Sequence, residues 1–174
     1  AEAWGSTPSE ENGYLQSVDV KGTDGDYEKA LPWYRWYAKI PEQEMEDNIR
    51  RNTGKDIGEL KSVEVTKRGA GDVALVLTAV GSKCTVTVET ENKIRTALAG
   101  DYDIVKQDGS TRNCGKLLPS AFFTIKKEKG SYCIEGGGFG HGIGMSQTGA
   151  NEMAKQGKNY REILELFYPG VNVE

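Results

Sequence analysis

Large and polar side chains alternate through residues 32–40 (PWYRWYAKI), and a period of two predicts a β-strand there. The same alternation marks 60–68 (LKSVEVTKR) and 72–80 (DVALVLTAV). The GAG between them supplies glycine for a tight hairpin. CTVTVET (84–90) reads as a further strand, and 121–136 (AFFTIKKEKGSYCIEG) as a hairpin turning at Lys129 and Gly130. Residues 14–20 predict a short strand, 21–26 (KGTDGD) a loop, and 1–13 a polar, turn-rich lead.

The helical period appears elsewhere. PEQEMEDNIRR (41–51) carries Pro41 at a first-turn position and acidic residues near the helix N-terminus. ENKIRTALAG (91–100) predicts a short helix ended by Gly100. QTGANEMAKQG (147–157) begins another. Asn159 caps the last, where Tyr160, Ile163, Leu164 and Phe167 fall on one apolar face before Pro169 and Gly170 stop it. The expected fold class is α+β: a mostly antiparallel sheet with hairpins, a glycine-rich loop and C-terminal helices. The chain has 174 residues, enough for one domain or one domain with an inserted subdomain, placed at about 33–118.

Composition narrows the function classes. Hydrophobic residues make up 37% and charged residues 28%, so a core can form. A formal net charge of -4 argues against nucleic acid as a partner, because phosphate contacts need clustered Lys and Arg. No apolar run is long enough for a membrane span, and no signal peptide is visible. The chain starts at Ala1 and not Met, as a processed or partial product does, which leaves an exported parent open. Cys84, Cys114 and Cys133 form no CxxC pair and read as buried or half-buried thiols. Cys114 and Cys133 can bridge in an oxidising compartment. Trp33, Tyr34, Trp36 and Tyr37 serve either core packing or a sugar platform.

The densest signal is GGGFGHGIGMSQTGA (136–150). Six glycines fall within 136–144, around His141, the one histidine of the chain. The GxGxG spacing is neither a Walker loop nor a dinucleotide fingerprint, and hairpins, not βαβ units, precede it. Glycine allows positive φ and close approach of a ligand to backbone. With Ser146 and Gln147 at a helix start, Gly140, His141 and Gly142 form a candidate binding cluster.

The stretch GGGFGHGIGMSQTGANEMAKQGKNYREILELFYPGV resembles the C-terminal signature of the SpoIID/LytB family, which includes stage II sporulation protein D and amidase enhancers. The matching positions run through Phe139–Gln147, Gly149, Ala150, Met153, Ala154, Gly157, Tyr160, Ile163, Leu164 and Tyr168–Gly170, with Gly137 and Thr148 as departures. PSAFFTI, the hairpin at 60–81 and EAWGSTPSEENGYLQSV extend the likeness more weakly towards residue 2. The resemblance implies a partial SpoIID-type domain over 1–174, its C-terminal two-thirds. The family's catalytic acid sits before the W-G segment, and its E-x-x-x-x-W and A-x-x-x-R-T-Y-A patterns are absent here.

The resemblance further implies a lytic transglycosylase acting on peptidoglycan glycan strands, in sporulation or cell-wall remodelling. The other reading is a non-catalytic glycan-binding or amidase-enhancing module. Gly140, His141, Gly142, Ser146 and Gln147 are the expected substrate-binding residues, and no catalytic residue is assigned within the chain. Glu135, just before the loop, is the nearest substitute carboxylate, though its position suits a solvent-facing strand end. No cofactor and no metal are implied. The expected partners are glycan strands and other cell-wall hydrolases, in an extracytoplasmic location.

Overall fold

The computed structural model describes residues 9–172. The W-G pair of the expected N-terminal match, and most of the polar lead, lie outside them. Among the described residues, ten strands and four helices form an α+β arrangement, and every strand pairing is antiparallel. In chain order they are β1 (Lys21–Gly22), β2 (Gly25–Asp26), β3 (Trp36–Pro41), α1 (Glu42–Thr53), β4 (Leu60–Arg68), β5 (Ala74–Gly81), β6 (Thr85–Glu89) and α2 (Glu91–Leu98). There follow β7 (Asp103–Lys106), β8 (Thr111–Asn113), β9 (Phe123–Glu128), β10 (Ser131–Gly136), α3 (Gln147–Lys155) and α4 (Tyr160–Phe167).

The central sheet has the order β8-β7-β3-β10-β9, and β4-β5-β6 form a second, three-stranded sheet. Alternation does its work in β3. Trp36, Ala38 and Ile40 point inward and are buried, while Tyr37 and Lys39 point outward. Tyr132 and Ile134 of β10 join the same inner face. They meet Met45 and Ile49 of α1, Leu77 of β5 and Ile94 and Leu98 of α2 in one core. A smaller cluster ties Met153, Ile163 and Phe167 of α3 and α4 to Val18, Val20 and Tyr27.

The helices end as their residues dictate. Glu42 and Glu44 lie in the first turn of α1 and Arg50 and Arg51 in its last, matching the helix dipole. Gly54 closes it at φ 69°, donating its N–H to Arg50 O at 2.9 Å. Pro41 sits at the N-cap, one position earlier than expected, because β3 runs straight into α1. Asn159 caps α4 in a full capping box with Glu162.

Other expectations shift. Pro32–Tyr34 is a 3-10 turn, and the strand starts only at Trp36. Residues 14–20 form no strand, because Val18 and Val20 pack on the C-terminal helices and away from any sheet edge. The expected loop at 21–26 holds a minimal ribbon, β1 with β2. β7 and β8 escape the sequence reading because strands of four and three residues leave no period to read, β8 lying at the sheet edge. Cys84 is exposed, Cys114 and Cys133 are half-buried, and all three thiols are free. No helix among the described residues is long and apolar enough to cross a membrane.

Candidate functional site

The glycine loop leaves the central sheet where β10 ends. Gly136 pairs with Trp36 across the strands, and a Cβ at 136 would fall inside the Trp36 indole. Glycine is therefore required for Trp36 to lie flat in the core. Gly138, Gly140, Gly142 and Gly144 all have positive φ, at 76°, 148°, 72° and 72°. A left-handed conformation at every second residue is what the GxGxGxG spacing encodes. The path is pinned by neighbours. Gly137 N–H donates to Phe122 O at 3.0 Å, Gly138 N–H to Trp33 O at 2.8 Å, and Gly140 N–H to Pro119 O at 2.9 Å. The Trp36 indole N–H donates to Gly138 O at 3.1 Å, and the Ser120 hydroxyl to Gly137 O at 2.7 Å.

His141 is exposed at the crest of this loop. Its Nδ1 accepts the Ile143 N–H at 3.0 Å, which fits the neutral tautomer with its proton on Nε2. Gly142 lies beside Val73, with no room problem for a small side chain. Met145 N–H donates to the Tyr168 hydroxyl at 3.2 Å, fastening the loop to the end of α4. Ser146 is the N-cap of α3 and accepts the Gly149 N–H at 3.1 Å. Gln147 is the exposed first residue of that helix.

One carboxylate joins this group without any signal in the sequence. Ser146 Oγ donates to Glu28 Oε1 at 2.9 Å, and the Thr148 hydroxyl donates to the same oxygen. Glu28 is half-buried and stands 118 residues away in the chain. Its negative charge lies at the start of α3, where the helix dipole favours it.

Next to the loop, the outer face of the central sheet opens as a cleft of about 440 Å³. Register sets its floor. Thr124, Glu135, Tyr37 and Val105 lie side by side on four neighbouring strands, a row about 14 Å across. Phe122 adds an exposed aromatic wall, and Arg35, Lys106, Gln107 and Asp72 supply polar edges. The Arg35 guanidinium stacks 3.9 Å from the Tyr34 ring centroid and donates to Tyr34 O at 2.7 Å. Asp72 holds φ 65°, a conformation Asp tolerates better than most residues, with its Oδ1 3.6 Å from Arg68 Nε. The Tyr37 hydroxyl lies 3.5 Å from Cys133 Sγ. That hydrogen bond, then burial, then the charges of Cys133, Glu128 and Glu135 push its pKa up to about 12. Tyr37 is therefore a neutral phenol at neutral pH, able to hydrogen-bond to a hydroxylated ligand.

The structure thus separates the sequence-based candidates. Glu135 lines the cleft, together with Tyr37 and Arg35, which the sequence did not single out for polar chemistry. His141, Ser146 and Gln147 lie further along the loop and do not line it, and Gly136 is the loop glycine that does. Among the described residues no cluster of His, Cys, Asp or Glu could hold a metal ion.

Comparison with known proteins adds two kinds of match. A family model described as a domain of unknown function (DUF8618) matches residues 7–144. An uncharacterised protein of Brachyspira hyodysenteriae is 46% identical over 71 residues, 41% of this chain and 19% of that one. The amidase enhancer of Bacillus subtilis is 48% identical over 57 residues, 33% of this chain and 8% of its own. Stage II sporulation protein D of Bacillus amyloliquefaciens is 50% identical over 56 residues, 32% of this chain and 16% of its own. The matched segments thus span less than a fifth of the relatives' length.

Proposed function

We propose that this chain, which belongs to the domain family matched over residues 7–144 and is SpoIID/LytB-like, is a SpoIID-type cell-wall or sporulation protein that holds peptidoglycan glycan strands for cleavage by a lytic transglycosylase. The observation that carries this reading is the open cleft on the central sheet. It is aromatic at Tyr37 and Phe122, polar at Arg35 and Glu135, and it begins where the glycine loop begins. Such a trough suits an extended, uncharged or weakly charged polysaccharide better than a compact ligand.

In this chemistry one carboxylic acid does both proton transfers. It protonates the glycosidic oxygen as the C1–O bond breaks. As carboxylate it then takes the proton of the sugar's 6-hydroxyl while that oxygen bonds to C1. Two-carboxylate glycosidases need a second acid for water or for a covalent step, and an intramolecular hydroxyl removes that need. Within this chain Tyr37, Arg35 and Glu135 bind and orient the strand. The glycine loop leaves the sheet at Gly136, which closes this end of the cleft against Phe122 and Trp36. None of Tyr37, Arg35 and Glu135 is assigned the proton transfer, which the resemblance to the SpoIID/LytB family places on an acid ahead of its W-G segment. The setting we propose is extracytoplasmic, with glycan strands and other wall hydrolases as partners.

A second reading is a non-catalytic module that binds glycan and enhances an amidase. It is favoured by the way the loop spends its polar groups on itself. His141 Nδ1 is taken by Ile143 N–H, and Ser146 is taken by Gly149 N–H and Glu28. The test is digestion of stem-free glycan strands by the full-length product and by this chain, read by mass spectrometry. Anhydro-ended sugars from the full-length product, with binding alone by this chain, support the first reading. Binding by both without cleavage by either replaces it with the second.

A further inference from the structure

A second cleft, of about 250 Å³, lies beside Phe139, between Trp33, Arg95 of α2, Arg112 of β8 and the loop at Lys116–Pro119. Its chemistry differs from that of the sheet cleft. Phe139 is 57% exposed, an unusual position for a phenylalanine held at a fixed place in a loop. Its ring centroid is 4.8 Å from that of Trp33, and the Arg112 guanidinium sits 5.3 Å from the Phe139 centroid. Lys106 Nζ lies 5.3 Å from the Trp33 centroid. The lining holds the cations Arg95, Arg112 and Lys116 and no carboxylate. Arg95 is neutralised by Glu91 at 2.9 Å. Arg112 and Lys116 take part in no ion pair among the described residues.

We propose that this cleft binds one anionic glycosyl unit, its ring against Phe139 and Trp33 and its carboxylate or phosphate between Arg112 and Lys116. The inference rests on the glycan reading above and goes further, since it assigns a separate, charge-selective subsite on the far side of the glycine loop. The volume falls below the range of drug-sized pockets, so the cleft takes a single ring, not a chain. Arg112 lies beside the Phe139 ring, and a guanidinium can meet two oxygens of an anion at once. Arg95 keeps its bonds to Glu91, Leu118 O and Pro119 O and forms the wall of the cleft. Phe139 then has a purpose that its exposure alone does not explain. It is an aromatic floor presented by a loop whose glycines fix its place.

The experiment titrates the 15N-labelled chain with N-acetylmuramic acid, N-acetylglucosamine and N-acetylglucosamine 6-phosphate. The first two differ by a carboxylate-bearing ether, and the third carries phosphate. The Trp33 indole and the Gly138 and Gly140 amides should shift, with an anionic sugar bound about tenfold more tightly than the neutral one. Arg112→Gln with Lys116→Gln should abolish that preference while the rest of the spectrum stays unchanged. Which anionic sugar binds identifies a carboxylate or a phosphate as the natural group. Equal binding of all three, or a preference untouched by the double variant, overturns the proposal. If stem-free glycan still binds in a Glu135-dependent way in that event, the sheet-cleft reading survives and only this inference falls.

Discussion

Replacing Arg95 by Met should cost the domain about 3–5 kcal/mol. Arg95 and Glu91 pair at 2.9 Å across one helical turn, with side chains only 8% and 4% exposed. Arg95 Nε also donates to Leu118 O at 2.9 Å and Nη2 to Pro119 O at 3.3 Å. Met fills most of the volume but leaves a buried carboxylate and two buried carbonyls without their donor. A lone buried charge dominates that ledger. Against a total stability of roughly 5–15 kcal/mol, the loss is large. With a urea m-value of about 2 kcal/mol/M, the midpoint should fall by about 2 M. Pro119 O also accepts the Gly140 N–H, so the perturbation reaches the glycine loop. Hydrogen exchange at Gly140 should quicken more than global unfolding explains. The double variant Glu91→Met, Arg95→Met carries no buried charge and should be more stable than the single one. A single variant that unfolds at the parent midpoint, or a double variant worse than the single, would refute the reasoning.

The other predictions use the same approach. Gly136→Ala drives a methyl into Trp36 and should cost about 3 kcal/mol. Gly138→Ala meets no atom within 4 Å, strains only φ, and should cost about 1–2 kcal/mol; calorimetry that reverses the order contradicts the packing argument. Ser146→Ala removes a helix cap and a hydrogen bond to Glu28, so denaturant titration should show a loss of about 2 kcal/mol. The Glu162 carboxyl is held below its usual pKa by its hydrogen bond to Lys158 and by the Asn159 N–H. A depressed carboxyl contributes above its unfolded pKa and loses that contribution as pH falls through its folded one. Amide shifts at the start of α4 should therefore move only below the usual carboxylate range, and Glu162→Gln should flatten that profile.

What the sequence disclosed follows from what period and turn chemistry can encode. β3, β6 and β10 were legible because each alternates between a buried and a more exposed face, and β4, β5 and β9 because they are β-branched or alternating runs joined by glycine-bearing turns. β7 and β8 were not, since four and three residues leave no period to read. The glycine loop stood out by composition, and its alternating positive φ now explains the spacing. The companionship of Glu28 with Ser146 and Thr148 was invisible, as was the alignment of Tyr37, Glu135 and Thr124. Both are products of register and of packing between distant segments. The motif around His141 drew attention to a place on the chain, and the cleft lies one strand end away from it.

Chemical-shift mapping of the labelled chain with stem-free glycan strands tests the central claim most directly. The account predicts that the amides of Tyr37, Phe122, Glu135 and Gly136 shift together, and that Tyr37→Phe with Glu135→Gln weakens binding by about tenfold or more. Shifts confined to other surfaces, or none at saturating glycan, would contradict it.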